Sequence, residues 1–177
     1  MYKLKWTLLQ QEIFSVLCLH AGKKLSQRDI AKKIKASPTA VANSLKKLKE
    51  EHLVTIEKTK TINFVALNRD EKRVIELKRV ENLKNMYLSG LSDYLYRELP
   101  GATIILFGSY SRGEDTETSD IDVAVIGKKN KLLNVTLFEQ MLQREITLHF
   151  YNAFTEIQQH LRNNLLNGIL LHGGIEL

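Results

Sequence analysis

The sequence is poor in the features that mark secreted domains and membrane anchors. It holds one cysteine, Cys18, among 177 residues, so no disulfide can form within the chain. No apolar run approaches the roughly 18 residues that a membrane-spanning helix needs. Gln10, Gln11 and Glu12 interrupt the apolar stretch near the N-terminus, which argues against a signal peptide. These absences predict a cytoplasmic protein with no membrane partner.

The remaining composition is that of a globular chain. Hydrophobic residues make up 44% and charged residues 26%, with 9 glycines and only 2 prolines, so neither a disordered nor a fibrous chain is indicated. The length allows one large domain or two small domains with separate cores.

Charge separates the two ends of the chain. Residues 1–68 hold 13 Lys and Arg against 5 Asp and Glu, a net charge of +8. Residues 69–177 hold 13 against 15, a net charge of −2. A basic N-terminal part favours a polyanionic partner such as nucleic acid, and a solvated lysine-rich surface is the alternative.

Helical spacing of apolar residues predicts three helices, over residues 6–20, 27–34 and 38–51. Ser26 and Ser37 stand at N-cap positions of the second and third helix, and Pro38 suits the first helical position. Two β-branched segments, residues 53–56 and 61–67, flank a turn and predict a β-hairpin.

This order of elements, with the stretch Leu25-Ser26-Gln27-Arg28-Asp29-Ile30-Ala31, resembles winged helix-turn-helix transcription regulators. The resemblance implies that residues 1–68 bind duplex DNA, with the third helix in the major groove and the hairpin as the wing. The residues placed to contact DNA are Thr39, Asn43, Lys46, Lys47, Lys58 and Lys60. Winged domains also serve as protein-interaction or dimerisation modules, which stays an alternative.

Apolar residues at helical spacing over residues 69–99 predict an amphipathic helical connector that ends at Pro100-Gly101. Gly90 interrupts the pattern, so either a kink or two consecutive helices fit. The connector is expected to pack on the following domain, and a helix that forms a homodimer is the alternative.

The chemistry-bearing motif lies in the last domain, residues 100–177. An apolar strand over residues 102–107 runs into Gly108-Ser109, and ten residues later a second strand carries Asp120-Ile121-Asp122. Side chains alternate across a strand, so both carboxylates point to one face. Two adjacent carboxylates need a cation, for which Mg²⁺ with phosphate and water is suited. Gly108 and Ser109 would accommodate a triphosphate, and Arg112 would bind a phosphate.

The segment from Phe107 through Gly108-Ser109 and Arg112-Gly113 to Asp120-Ile121-Asp122 resembles the DNA polymerase beta nucleotidyltransferase superfamily, in its minimal single-domain branch. The resemblance implies Mg²⁺ bound by Asp120 and Asp122, and ATP or another NTP as substrate. It also implies a toxin protein as partner, because such domains often act as antitoxins that modify toxins of the HEPN class. A structural acidic hairpin is the alternative interpretation of the motif.

One position departs from the family's pattern. Such enzymes use a third carboxylate on a later strand. A helix is predicted over residues 132–144 and a strand over residues 145–151, and on that strand the matching residue is Thr147, a poor metal ligand. Glu145 and His149 share its face. Glu145 is either a replacement carboxylate or a surface charge, and His149 is expected at the edge of the core rather than as a base. The other histidines show no zinc-ligand spacing.

The sequence therefore predicts an α/β (α+β) protein. It has an N-terminal winged helix-turn-helix, a helical connector, and a small mixed sheet with helices on one face. The predicted function is transfer of AMP from ATP to a hydroxyl of a protein, nucleic acid or small molecule. A DNA-binding regulator that only senses nucleotide is the main alternative, and antibiotic nucleotidylation is a weaker one.

Overall fold

The computed structural model describes residues 6–175, and the chain divides into two compact units between Ile75 and Glu76. We name them the N-terminal unit and the C-terminal unit. Among the described residues, every helix is too short or too polar to cross a membrane.

The N-terminal unit is a winged helix-turn-helix, as predicted. Three helices pack with a small antiparallel sheet of strand order β1-β3-β2. Its elements are α1 (Leu8–Leu19), β1 (Leu25–Ser26), α2 (Gln27–Lys33), α3 (Pro38–Glu50), β2 (Val54–Lys58) and β3 (Asn63–Leu67).

Hydroxyl side chains determine where the three helices begin. The side chains of Thr7, Ser26 and Ser37 each accept a hydrogen bond from a backbone N–H three residues later, at 3.3, 3.0 and 3.2 Å. These bonds satisfy N–H groups that have no partner inside the helix. The observed starts therefore lie within two residues of the predicted ones.

The hairpin differs slightly from its prediction. Thr59 and Ile62 close the turn through a backbone hydrogen bond of 3.0 Å, so β2 extends to Lys58 and β3 begins at Asn63. The two-residue strand β1 was not predicted, because it pairs with β3 across a long sequence separation and has no periodicity of its own.

The C-terminal unit is a four-stranded mixed sheet of order β6-β5-β4-β7, in which only β5 and β6 are parallel among the pairs of the described residues. Helix α4 begins before the division between the units and continues through it. The elements are α4 (Lys72–Leu88), α5 (Leu91–Glu98), β4 (Thr103–Phe107), α6 (Gly108–Arg112), β5 (Ile121–Ile126), α7 (Thr136–Leu142), β6 (Ile146–Tyr151), a 3-10 turn (Phe154–Glu156), α8 (Gln159–Leu166) and β7 (Ile169–His172).

Helices cover both faces of this sheet. Ile104 and Leu106 belong to a buried cluster with residues of α4, α5 and α7, which agrees with the predicted helical face. Ile105 and Phe107 point to the opposite face, where Leu165 of α8 joins a second cluster. The single-face prediction therefore has to be corrected, because a strand that is apolar on both faces needs cover on both.

Two helical segments differ from the sequence-based boundaries. The predicted connector is two helices, α4 and α5, separated by Gly90 in a left-handed conformation with φ of 78°. The helix predicted over residues 132–144 is limited to Thr136–Leu142. The Asn134 side chain accepts the Thr136 N–H at 3.2 Å, and Gln143 leaves the helix in a left-handed conformation with φ of 51°.

Candidate active site

The candidate active site lies where β4 passes into α6. Phe107, the last residue of β4, is paired with Asp122 of β5, so the Asp122 carboxylate lies beside the next residue, Gly108. A Cβ atom at Gly108 would come within 2.5 Å of Asp122 Oδ2, and φ there is +76°. Glycine is favoured at this position, because a side chain would displace the Asp122 carboxylate and strain the backbone.

Asp120 and Asp122 are placed differently along β5. Asp122 lies within the strand and is half-buried, whereas Asp120 directly precedes the strand and is exposed. Asp120 lines a cavity of about 430 Å³ together with Glu117, Glu139 and Glu145. The two predicted metal ligands therefore lie at the start of β5, with an open cavity beside Asp120.

The predicted phosphate-binding residues are on α6. Ser109 is half-buried in its first turn, and Ser111 donates a hydrogen bond to the Gly108 carbonyl at 2.9 Å. Arg112 donates through Nε to Glu114 at 2.7 Å, and the two side chains are 40% and 53% exposed. An exposed ion pair of this kind contributes about 0–1 kcal/mol, so an arriving phosphate can compete for the arginine.

The position expected for a third carboxylate is occupied by Thr147. In the parallel pairing of β5 with β6, Thr147 lies directly opposite Asp122. Glu145 lies just before β6, where its carbonyl accepts the Ile121 N–H at 2.8 Å. Its side chain is exposed and shares the cavity of Asp120.

His149 contacts Asp122 directly, which sequence reasoning missed. Its Nε2 lies 3.0 Å from Asp122 Oδ1. The Phe107 ring packs edge-on against the imidazole, with 5.2 Å between ring centroids. Burial and the negative charge of Asp122 raise the pKa of Tyr151, the next residue on that face. Period-2 alternation indicated the shared face, but only the β5–β6 register could reveal the contact.

A second cluster that the sequence did not reveal lies inside the C-terminal unit. The buried Asp115 carboxylate accepts hydrogen bonds from Lys78 and, at 2.7 Å, from the Asn82 amide. Arg144 lies 3.6 Å from the other carboxylate oxygen. Asn82 also donates to the Tyr110 carbonyl at 2.8 Å. The cluster therefore ties α4 to α6 and to the segment that leads into β6.

The predicted DNA-contacting residues are all on the surface of the N-terminal unit. Four lie on α3 at spacings of four, three and one, which places them along one side of the helix. Two lie at the end of β2 and in the hairpin turn. Exposed side chains are found at Thr39, Asn43, Lys46, Lys47, Lys58 and Lys60.

Two family models match this sequence. The model described as a nucleotidyltransferase domain matches residues 88–172, and a winged helix-turn-helix DNA-binding model matches residues 11–55. A relative from Methanocaldococcus jannaschii named "Putative protein adenylyltransferase" is 37% identical over 67 residues, covering 35% of this chain and 69% of the relative.

Solved structures share part of the fold at low similarity. A single-residue mutant of Lactococcus lactis ZitR has a TM-score of 0.42 at 21% identity, over 55% of this chain and 65% of that one. The S. aureus MepR–DNA complex has a TM-score of 0.38 at 20% identity, over 52% of this chain and 77% of that one. The chain thus spans slightly less than two thirds of ZitR, and these scores are too low to support a functional argument.

The sequence matches are sufficient for a family assignment. The nucleotidyltransferase model covers both the Gly-Ser turn and the Asp-x-Asp strand, and the relative is matched over more than two thirds of its length. The chain belongs to the nucleotidyltransferase family and carries a winged helix-turn-helix domain in its N-terminal unit.

Proposed function

We propose that this protein transfers AMP from ATP to a hydroxyl group, and that its N-terminal unit binds duplex DNA. The observation that carries the proposal is the close approach of Gly108 to Asp122, at the point where β4 enters α6. Because Gly108 has no side chain beside the Asp122 carboxylate, a polyphosphate can approach the backbone there. The name of the relative, an adenylyltransferase, supports AMP as the transferred group.

Mg²⁺ fits the donor set at this site. Asp120 and Asp122 offer carboxylate oxygens at the start of β5, and a Cβ atom at Gly108 would fill the space beside Asp122. Mg²⁺ is commonly bound by one or two carboxylates together with phosphates and waters. When bound, it would neutralise charge on the phosphates during transfer.

The reaction we propose is an in-line displacement. The acceptor oxygen attacks the α-phosphorus of ATP, the bond to the β-phosphate breaks, and pyrophosphate leaves while the acceptor loses its proton. Ser109 and Arg112 would hold the departing phosphates. Glu145 lines the same cavity as Asp120 with an exposed side chain next to β6, so we propose that it takes the acceptor's proton.

Thr147 implies a slow reaction. It lies opposite Asp122, where the family's third carboxylate is expected, and a hydroxyl neither binds a metal strongly nor accepts a proton at neutral pH. We therefore propose that the protein alone has weak activity and that a partner increases it. A protein acceptor agrees with the relative's name. A toxin as that acceptor, which this chain would modify as an antitoxin, rests only on the resemblance of the Gly-Ser and Asp-x-Asp motif. A toxin that becomes labelled when co-purified with the chain would support this role.

The test measures nucleotide binding and transfer in the same protein. The Asp120→Asn/Asp122→Asn variant should lose Mg²⁺-dependent ATP binding by calorimetry and label transfer from α-labelled ATP to a cell extract. Its thermal stability should be equal or higher, because two like charges without a cation repel each other. Asp93→Asn, on an exposed position of α5, is the control and should bind ATP as the wild type does. A double variant that still binds MgATP normally would contradict the proposed site.

A second candidate function is favoured by one observation, that Thr147 stands where a carboxylate is expected. The C-terminal unit would bind ATP without turnover, and the protein would act as a nucleotide-sensing DNA-binding regulator. Normal MgATP binding with no transfer by the wild type, and DNA affinity that changes on adding ATP, would select this function. Salt-independent binding to DNA, or none at low salt, would instead favour a protein-interaction or homodimerisation role for the N-terminal unit.

A further inference from the structure

The imidazole of His149 is directed at the carboxylate that the proposed metal site depends on. β6 lies parallel to β5, and His149 Nε2 lies 3.0 Å from Asp122 Oδ1. The two side chains are 34% and 31% exposed, so both remain open to a ligand from solvent. The contact is on the sheet face that also carries Thr147, the position without a carboxylate.

Packing holds the histidine ring at this place. The Phe107 ring contacts it edge-on at 5.2 Å, and Phe107 is also the strand partner of Asp122. Gly108 leaves open the space beside the other carboxylate oxygen. A nitrogen and two oxygen atoms are therefore presented together next to the turn where the triphosphate is expected.

The separation of the two atoms suits neighbouring ligands of one ion. Two adjacent ligands of an octahedral cation with bonds of roughly 2.1 Å lie about 3.0 Å apart. A hydrogen bond between the imidazole and the carboxylate has a similar length, so the distance alone allows either arrangement. Among the described residues, no three His, Cys, Asp or Glu side chains gather as a metal site. An ion held by Asp122 and His149 thus takes its remaining ligands from the nucleotide and from water.

We propose that His149 is a nitrogen ligand of the divalent ion that Asp122 holds, in place of the carboxylate missing at position 147. This inference rests on the metal site of the proposed function. Imidazole is a softer ligand than carboxylate and suits later transition ions better than Mg²⁺. The consequence is a site with a raised preference for Mn²⁺ or Co²⁺ over Mg²⁺.

The test detects the metal–nitrogen contact without any turnover. The full-length protein is prepared with ¹⁵N-labelled histidine and loaded with Mn²⁺ and unlabelled α,β-methylene-ATP, which cannot transfer AMP. Pulsed electron paramagnetic resonance should show ¹⁵N coupled to the manganese, and the isotope distinguishes histidine from adenine nitrogens. His149→Phe keeps a ring against Phe107 and should remove the ¹⁵N signal. It should also weaken Mn²⁺ binding by more than the roughly 10–100-fold that loss of an outer hydrogen-bonding partner costs.

Two further variants separate the alternatives. His160→Phe makes the same change at an exposed position of α8 and should retain the signal. His149→Asp should bind Mn²⁺ without ¹⁵N coupling and should shift the Co²⁺-to-Mg²⁺ affinity ratio toward Mg²⁺. A wild-type complex without ¹⁵N coupling, or a ratio unchanged in both His149 variants, would show that His149 only hydrogen-bonds to Asp122. A ¹⁵N signal in a protein that transfers no label would support the ligand and contradict the transferase.

Discussion

The two units bury different kinds of side chain. Among the described residues of the N-terminal unit, no lysine, arginine, aspartate or glutamate is buried, and apolar residues such as Ile13, Val41 and Leu45 form the core. The C-terminal unit buries Lys78, Asp115 and Arg144 in addition to its apolar clusters.

The two units also differ in the sequence separation of the groups that stabilise them. In the N-terminal unit, a helix start depends on a cap three residues away. In the C-terminal unit, Lys78 and Asp115 are 37 residues apart in sequence and meet only after folding. A buried charge without its partner is strongly destabilising, so this cluster tolerates few alternative arrangements. The unit with the candidate chemistry is thus the one that buries long-range contacts between charged side chains.

The largest expected effect comes from removing the centre of that cluster. Asp115→Ala leaves the buried amine of Lys78 without its carboxylate and should lower the free energy of unfolding by roughly 3–5 kcal/mol. Amide hydrogen exchange should show the loss in the C-terminal unit. Asp115→Asn keeps the side-chain volume and therefore tests the loss of the negative charge alone. As a control, the same change at the exposed Asp93 should alter the free energy of unfolding by about 0.5 kcal/mol at most. Equal stability of Asp115→Ala and wild type would remove the contrast between the units.

The next largest effect concerns the strand position opposite Asp122. Thr147→Asp should increase label transfer from ATP by on the order of 10²-fold, because removal of one such electrostatic group typically costs 10²–10³-fold in rate. If Glu145 already supplies the carboxylate, Glu145→Gln should abolish transfer and Thr147→Asp should add little. Robust native transfer that ignores both changes would mean that β6 does not supply the third carboxylate.

A smaller effect is expected at the surface of the N-terminal unit. Lys46→Ala with Lys47→Ala should reduce the slope of log affinity for duplex DNA against log salt by about 2, because each phosphate contact releases about one counterion. The matched control is Lys128→Ala with Lys129→Ala, a lysine pair in the C-terminal unit, and its slope should be unchanged. Equal slopes in both double variants would place the DNA contacts elsewhere.

The smallest expected effect comes from removing the helix cap at Ser37. Ser37→Ala removes the hydroxyl that accepts the Ala40 N–H and should destabilise the N-terminal unit by about 1 kcal/mol. Ser37→Asp keeps an acceptor and should restore most of that loss in thermal unfolding. A cost as large as that of Asp115→Ala would show that this unit also depends on more than local contacts.

The sequence predicted the helices and strands better than the contacts between them. The helix starts at Ser26 and Ser37 were predicted because a cap and its partner are three residues apart. The shortened α7 was missed, because its limits depend on the Asn134 side chain and on the left-handed Gln143 rather than on apolar spacing. The cover of the second sheet face by α8 was missed for a similar reason, since the apolar strand signal does not say which helix packs there.

The sequence by itself determined the Gly108-Ser109 turn, the Asp120-x-Asp122 spacing and the charge difference between the two parts of the chain, because each depends on neighbouring residues or on composition. Only the tertiary structure decided that Thr147 lies opposite Asp122, since strand register sets which residues face each other. It also decided that His149 reaches the Asp122 carboxylate and that Asp115 collects charged partners from distant segments. Contacts of this kind arise from the packing of whole elements, and no local pattern encodes them.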